Sequence, residues 1–461
     1  VEAYVDGEWH FLGACEPEPV LDLGWFNAPA SRCLLLHTRV FGRYYGPEEV
    51  IDVTPNHTEI NVVHNYAETS KMTVKVVDEN GNAVPDARVE FKIYNYAEFS
   101  GVAVKFTDEN GETWMSAGNG DMMAFASKDG KFGFAEMPFG EKDELVISLD
   151  KENGDEMIIE YDITPPAQNA RMPEVTAEMR AENDRRFAYE DSIRNAYIAS
   201  FPRNIEDEEV LALVEKSWGN YQTILDFIAY AEKNDNRQKA INLLKEISDK
   251  DLRDVTMDVL VDNLDFTVDG DIYNAYILNP RVSSEMIRPY KKELSNYFDK
   301  ETSEKFRNNP QELVEWIKDN IATNDNGRVI MLPTSVVKSM VTDYRSRGIF
   351  FVSMARALGI ASRIDPVTAK VQYLKDNNWI DVNFEEEVTE AVPTQQGTLM
   401  AEYVPSGALT DLRYYTHFSI KKFNGRRFEL LAYDAKDPGM DFGEQYSTLF
   451  ENGLALDPGY Y

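Results

Sequence analysis

The chain's 461 residues suffice for about three domains, and 43% hydrophobic with 12% aromatic content is the composition of a packed globular protein. Eighty acidic residues against 47 basic ones give a net charge of −33, which argues against nucleic acid or an anionic membrane as a partner, because both attract basic surfaces. No run approaches the ~20 apolar residues of a membrane helix, and the two cysteines, Cys15 and Cys33, have no zinc spacing and leave their pairing open.

The first predicted element is a hairpin. Asp6-Gly7 turns it and Trp9–Leu12 forms its second strand. In the loop that follows, Cys15 is crowded by Glu16, Glu18 and Asp22, which disfavours a thiolate and speaks against a nucleophile. His10, on the strand, and His37, after Leu34-Leu35-Leu36, read as packing or hydrogen-bonding residues rather than bases. Beyond an aromatic-rich stretch from Trp25 to Val50, strand-like Ile60–Val63 and a Thr69-Ser70 linker open a new unit.

Residues 71–165 read as a β-sandwich with strands Met72–Val77, Ala87–Tyr94, Val102–Thr107, Met122–Ala126, Glu144–Leu149 and Met157–Ile163. Turn pairs fall between them, among them Asn80-Gly81, Asn110-Gly111, Asp129-Gly130 and Asn153-Gly154. Asp78, Asn80, Asp108, Asn110 and Asp121 could ligate Ca²⁺ through oxygen; Asp-x-Asn-Gly is equally an ordinary hairpin turn.

Thr164-Pro165-Pro166 breaks the β pattern. Helices are predicted over Glu174–Phe201, Asp207–Ser217, Tyr221–Ala231, Arg237–Ile247 and Lys250–Leu260, the last capped by Ser248-Asp249. Leu211, Val214, Ile224, Phe227, Ile228, Leu243 and Leu244 are their expected core. Further helices are expected over Ser283–Phe298, Thr302–Phe306 and Pro310–Ile321. An apolar helix, Ile349–Leu358, then turns one face of Phe350, Met354, Ala357 and Leu358 inward and ends at a C-cap Gly359. Strands Lys370–Leu374 and Trp379–Phe384 flank the turn Asp376-Asn377-Asn378. Arg345, Arg347, Arg363 and Asp365 are expected to pair near this core, with binding of a substrate carboxylate as the second reading. Beyond Pro393 a hairpin is expected from Tyr415–Phe423 and Arg427–Tyr433 around Asn424-Gly425, with His417 packed on its strand.

The segment RALGIASRI, Arg356 to Ile364, resembles the RALGIPAR segment of the transglutaminase-like superfamily, whose catalytic logic is that of papain-type thiol enzymes. The resemblance puts that family's Cys at Tyr344, its His at Thr368 and its acid or Asn at Asn383. Only Asn383 fits, so the resemblance implies a scaffold that has lost nucleophile and base. VEAYVDGEWHFL (Val1 to Leu12) also matches VQYLKDNNWIDV (Val371 to Val382) at a constant offset of 370, which suggests two copies of one fold. Gly13-Ala14-Cys15-Glu16-Pro17 is similar to a block in the peptide:N-glycanases of that superfamily, although Gly13 stands where they carry Asp. That likeness implies Glu16 as a carboxylate orienting an upstream His. The stretch Trp25 to Val50 resembles a segment of long secreted bacterial members. Pro85-Asp86-Ala87-Arg88-Val89 and Thr107-Asp108-x-x-Gly111 resemble the carboxypeptidase regulatory-like (prealbumin-like) domain.

The expected fold is therefore α+β and multidomain: two transglutaminase-like cores, the first truncated, joined by a β-sandwich and a helical region. The expected limits are 1–52 for the first core, 71–165 for the sandwich, 166–265 for the helical region, 276–393 for the degenerate second core and 394–461 for a partial β domain. The expected function is that of a C-terminal piece of a secreted bacterial transglutaminase-like protein. Its parent would be a thiol acyltransferase or amide hydrolase with Cys and His before residue 1, and this chain would be non-catalytic. The alternative is a cell-surface module that binds peptide or glycan. No cofactor and no metal is expected; the partner would be a peptide or glycopeptide outside the cell or in the periplasm.

Overall fold

The computed structural model describes residues 1–13, 18–152, 159–264, 270–324, 329–384, 396–405, 407, 409–423, 428–435 and 443–461. It contains both helices and sheets, so the chain is α+β and multidomain. One compact unit comprises Val1–Ser192, Gly407–Ser419 and Asp437–Gln445; the other comprises Ile193–Ser406, Ile420–Lys436 and Tyr446–Tyr461. The described part of 394–461 is thus shared between the two units.

The first unit opens on the expected hairpin, β1 (Glu2–Val5) with β2 (Glu8–Phe11). Asp6 and Gly7 both take positive φ, 53° and 95°, as a two-residue primed turn requires. Phe11 is buried and stacks on Tyr66 with 4.6 Å between ring centres. A short helix, α1 (Asn27–Ala30), precedes a sheet in which β5 (His57–Asn61) lies between β3 (His37–Phe41) and β4 (Val50–Val53).

The sandwich follows. One sheet runs β12-β6-β9 and the other β13-β11-β10-β7-β8, where β6 is Thr69–Val77, β7 Arg88–Asn95, β8 Glu98–Phe106, β9 Glu112–Gly118, β10 Asp121–Lys128, β11 Lys131–Pro138, β12 Glu144–Ser148 and β13 Lys151–Glu152. Alternation along β6 buries Met72, Val74 and Val76 against Val89, Phe91, Met115, Ala124 and Met137. Three of these strands are not among the expected ones: the two-residue β13, and β9 and β11. The small and polar residues of β9 and β11 (Ser116, Ala117, Gly118; Gly133, Ala135, Glu136) carry little intrinsic β signal. Their ladders supply it, β9 pairing with β6 and β11 with β10; Gly133 also approaches the other sheet, where a Cβ would lie 2.0 Å from the Ser148 carbonyl oxygen, so that approach requires glycine. Conversely, the described residues of the expected strand Met157–Ile163, numbers 159–163, join no ladder; Met157 lies outside the described residues.

The helical elements are α2 (Ala177–Ala199), α3 (Glu208–Ser217), α4 (Tyr221–Lys233), α5 (Arg237–Glu246), α6 (Asp249–Leu252), α7 (Met257–Leu264) and α8 (Asp271–Tyr273), which runs into a π-turn at Asn274–Leu278. Ile224, Phe227, Ile241, Leu243, Leu244 and Leu260 form the core of this layer. Leu211, expected inside, is only half-buried; Val210, Leu213 and Val214 take that face of α3. The expected helix over 250–260 breaks in two. Ser248 caps α6 by accepting from Asp251 N at 3.2 Å, and the chain turns at Val255 before α7 begins.

The expected helix Ser283–Phe298 contracts to α9 (Lys291–Ser295). Pro289 cannot continue a helix, and the buried Glu285 carboxylate instead accepts from Val282 N (2.6 Å) and Ser283 N (2.9 Å). Then come α10 (Lys300–Asn308), α11 (Gln311–Asn320), β14 (Ala322–Thr323), α12 (Pro333–Ser339), β15 (Val341–Thr342) and α13 (Tyr344–Ala357). An antiparallel sheet, β16 (Ser362–Ile364), β17 (Val371–Lys375) and β18 (Asn378–Asp381), packs on α13 in that order. Near the end, Lys421–Phe423 pairs antiparallel with Phe428–Leu430. The expected hairpin is therefore present but shorter, and its Asn424-Gly425 turn lies outside the described residues. His417 is not on a strand: it sits in a turn and accepts from Arg413 N at 2.9 Å.

Candidate functional site: the α13 helix and its three-stranded sheet

Helix α13 begins five residues earlier than its apolar periodicity alone indicates, because Asp343 caps it. The Asp343 carboxylate accepts from Ser346 N and Ser346 Oγ, both at 2.7 Å, and Ser346 Oγ accepts from Met331 N at 2.9 Å. From Ser346 onward nearly every side chain is buried except Arg347. Gly348 lets the helix touch the sheet: a Cβ there would stand 2.8 Å from Val371 Cγ2 on β17. Gly359 ends the helix at φ 81°, with Ile360 N donating back to the Ala355 carbonyl at 2.8 Å.

Arg356, the first residue of RALGI, is a buried clamp. Its Nε donates to the Ser362 carbonyl (3.1 Å) and its Nη1 to the carbonyls of Asn279 and Arg281 (2.8 Å each). It thereby joins α13, β16 and the chain that enters the core. Burial pushes the guanidinium's pKa below its ordinary value, with the neighbouring Tyr290 acting in the other direction. Arg281 forms a fork with Asp251, Nη2 to Oδ1 at 2.6 Å. Beside them Lys291 is wholly buried and donates to the Ile277 carbonyl; desolvation, then the Arg356 charge, holds its pKa well below that of an ordinary lysine.

Tyr344 opens the helix and is 43% exposed. The Arg347 guanidinium lies over its ring at 5.1 Å and over that of Phe384 at 4.4 Å. One side chain therefore bridges the start of α13 and the chain just past β18, where Asn383 precedes Phe384. Thr368 is not on a strand. It lies in the turn between β16 and β17, where its N and Oγ1 donate to Asp365 Oδ1 at 2.8 and 2.9 Å. The structure thus brings Tyr344 and the Asn383 end of the sheet to one rim, while Thr368 caps a neighbouring turn. Of the four charged residues expected to pair here, Arg363 and Asp365 do so, at 3.0 Å. Arg345 donates instead to Ser284 Oγ at 2.6 Å. Arg363 also lies 4.2 Å over Trp379, whose ring meets that of Tyr276 edge-on at 4.8 Å.

The hairpin β17–β18 can be laid against β1–β2. Gln372 faces Asp381 and Leu374 faces Trp379; Glu2 faces Phe11 and Tyr4 faces Trp9. Each closes with the same extra bond, Val382 N to Val371 O at 2.8 Å and Leu12 N to Val1 O at 2.9 Å. Equal two-residue turns impose equal ladders, so the register follows from the turn. The Val and Trp at matched positions are what the turn does not dictate. Their surroundings differ: Tyr373 is buried against α13, whereas its counterpart Ala3 is half-buried.

Glu16 and Cys15 lie outside the described residues, so the carboxylate expected to orient a histidine is not seen at work. The first hairpin holds an Asp–His pair that sequence reasoning missed. His10 Nδ1 and Asp22 Oδ2 are 2.6 Å apart, and Asp22 Oδ1 accepts from Phe11 N at 2.9 Å. The bond to Asp22 raises the His10 pKa. Two residues joined across an irregular loop leave no periodic trace in a sequence. Cys33 is half-buried, its Sγ 3.6 Å from the Pro29 carbonyl, and burial pushes its pKa up. The turn carboxylates are used internally: Asp78 Oδ1 accepts from Asn80 N and Asn82 N, and Asp108 Oδ1 from Asn110 N and Glu112 N, at 2.8–2.9 Å. The Asn82 side-chain amide, which donates to Asp78 Oδ2 at 3.0 Å, and then the backbone bonds hold the Asp78 pKa down, and the backbone bonds do so for Asp108. Among the described residues no group of three His, Cys, Asp or Glu side chains is placed to hold a metal ion.

No model of a protein family matches the chain, and no curated protein is similar to it.

Proposed function

We propose that this chain is a non-catalytic part of a transglutaminase-like protein, in which α13 and the sheet β16–β18 are a core that keeps its scaffold and has lost its reactive atoms. The observation that carries this reading is the start of α13. A capped helix, buried almost throughout, presents a phenol under an arginine at the position where the family's thiol would stand. Acyl transfer through a thiol needs a nucleophile, a base and a group that orients the base. Tyr344, Thr368 and Asn383 supply neither of the first two, and Thr368 is committed to Asp365. The Arg356 clamp gives the RALGI segment a packing role that needs no chemistry. The parent protein would cleave or transfer amide bonds of peptides or glycopeptides outside a bacterial cell, with its Cys and His elsewhere.

The test is turnover. The chain should release no ammonia or amine from glutamine, peptide or glycopeptide amides, before or after alkylation of Cys15 and Cys33. Turnover that survives alkylation overturns the assignment of Tyr344. An experimental structure in which α13 and β16–β18 fail to superpose on a transglutaminase-like core removes the family.

A second reading, a surface module that binds peptide or glycan, is favoured by one observation in the other unit: an open groove walled by aromatic rings.

A further inference from the structure

A groove of about 760 Å³ lies wholly within the first unit. It runs between the tip of the β7–β8 hairpin, the chain before β3 and the segment 161–166. Its size falls within the roughly 300–1,000 Å³ of small-ligand sites. Tyr94, Phe99 and Tyr161 form one wall. Phe99 meets Tyr94 edge-on at 5.6 Å and Tyr161 edge-on at 5.1 Å, which fixes the rings at steep angles and leaves Tyr94 54% exposed. Aliphatic and proline side chains complete the floor. Arg32, Asn95 and Asp121 supply the polar groups. Asp121 is nine-tenths buried; its Oδ2 accepts from Thr164 N at 2.7 Å, and its Oδ1 accepts no hydrogen bond among the described residues.

The composition of this lining selects its ligand. An added peptide strand needs a run of unpaired backbone, and here much of the edge is already paired: Gly118 N donates to Leu34 O (2.9 Å), Asp121 N to Thr164 O (2.8 Å), and Tyr94 pairs with Phe99 in the hairpin, which leaves the short stretch 161–163 outside any ladder. An acyl chain needs an enclosed apolar cavity, whereas this groove is open and carries a cation, an anion and an amide. A pyranose ring has one face of C–H groups, which suits the negative face of an aromatic ring, and a rim of hydroxyls that both donate and accept. One cation and one anion together favour a ligand without net charge.

We propose that this groove binds a short neutral oligosaccharide, with a sugar ring on Tyr94 and Tyr161 and its hydroxyls on Asp121, Arg32 and Asn95. The site is independent of the transglutaminase-like reading, and amide turnover has no bearing on it.

The experiment titrates the full chain with maltotriose, cellotriose, xylotriose and triacetylchitotriose, followed by saturation-transfer NMR and calorimetry. At least one trisaccharide should bind. Tyr94→Ala and Tyr161→Ala should each weaken it about tenfold or more while circular dichroism stays unchanged. Because Cys33 also lines the groove, the bound sugar should slow its alkylation in a Cys15→Ser chain. Three outcomes overturn the proposal: no binding of any of the four at about 10 mM, binding that both alanine variants leave intact, or protection of Cys33 by decanoate or a peptide but by no sugar.

Discussion

His10 and Asp22 show how much a single contact can add to a hairpin. The Asp22 carboxylate takes a side-chain bond from His10 and a backbone bond from Phe11, so it pins the loop at residue 22 to β2. The His10 pKa lies above its ordinary value near 6.5, chiefly through that bond. A raised histidine stabilises the fold fully below the unfolded value and loses that contribution as pH rises through the folded value. A proton NMR titration should therefore find the His10 ring titrating above about 6.5, and Asp22→Asn should lower it. A His10 that titrates at or below the ordinary value in the native chain sinks this account. At the same scale, Arg356 was legible as part of a motif but not as a clamp, since the carbonyls it binds at Asn279 and Arg281 are remote in sequence.

At the scale of elements, α13 and the hairpin β17–β18 were readable because their signals are local: apolar residues at helical spacing, a glycine at the C-terminus, and turn residues between two strands. The start of the helix was misjudged because its signal is the single cap Asp343 and not the periodicity. The strands β9 and β11 were missed, and the helix 283–298 was overextended, for one reason. Each is set by a partner: the ladder in the first case, and the carboxylates of Glu285 and Asp262 in the second, where Asp262 accepts from Tyr290 N and Lys291 N at 2.8 and 2.7 Å. The contact of α13 with β17 gives a test. Alanine is favoured over glycine within a helix by about 1 kcal/mol, yet at Gly348 its Cβ would press on Val371, whose β-branched side chain has little rotamer freedom. Gly348→Ala should lower stability by about 1–3 kcal/mol in urea unfolding, and Val371→Ala in the same chain should recover part of the loss. Stabilisation by Gly348→Ala alone would falsify the packing described.

At the scale of the molecule, charge dominates. A net −33 repels itself. That repulsion reaches about 30 Å at 0.01 M salt and about 8 Å at 0.15 M. The thermal midpoint should thus rise when sodium chloride is raised between those concentrations, and the chain should pass through a heparin column without retention. A midpoint that falls with salt, or retention on heparin, would show that local ion pairs or a basic patch outweigh the overall charge. Among the described residues no helix is long and apolar enough to cross a membrane.

Composition, hydrophobic period and turn chemistry by themselves determined that the chain is acidic, α+β and multidomain, and they located the β-rich and helix-rich stretches, since these properties depend on neighbours along the chain. The tertiary structure decided which side chains meet: Arg347 between Tyr344 and Phe384, Asp22 with His10, and three aromatic rings around an open groove. Those pairings depend on loop closure and on the burial of distant segments together. No period in a sequence records them.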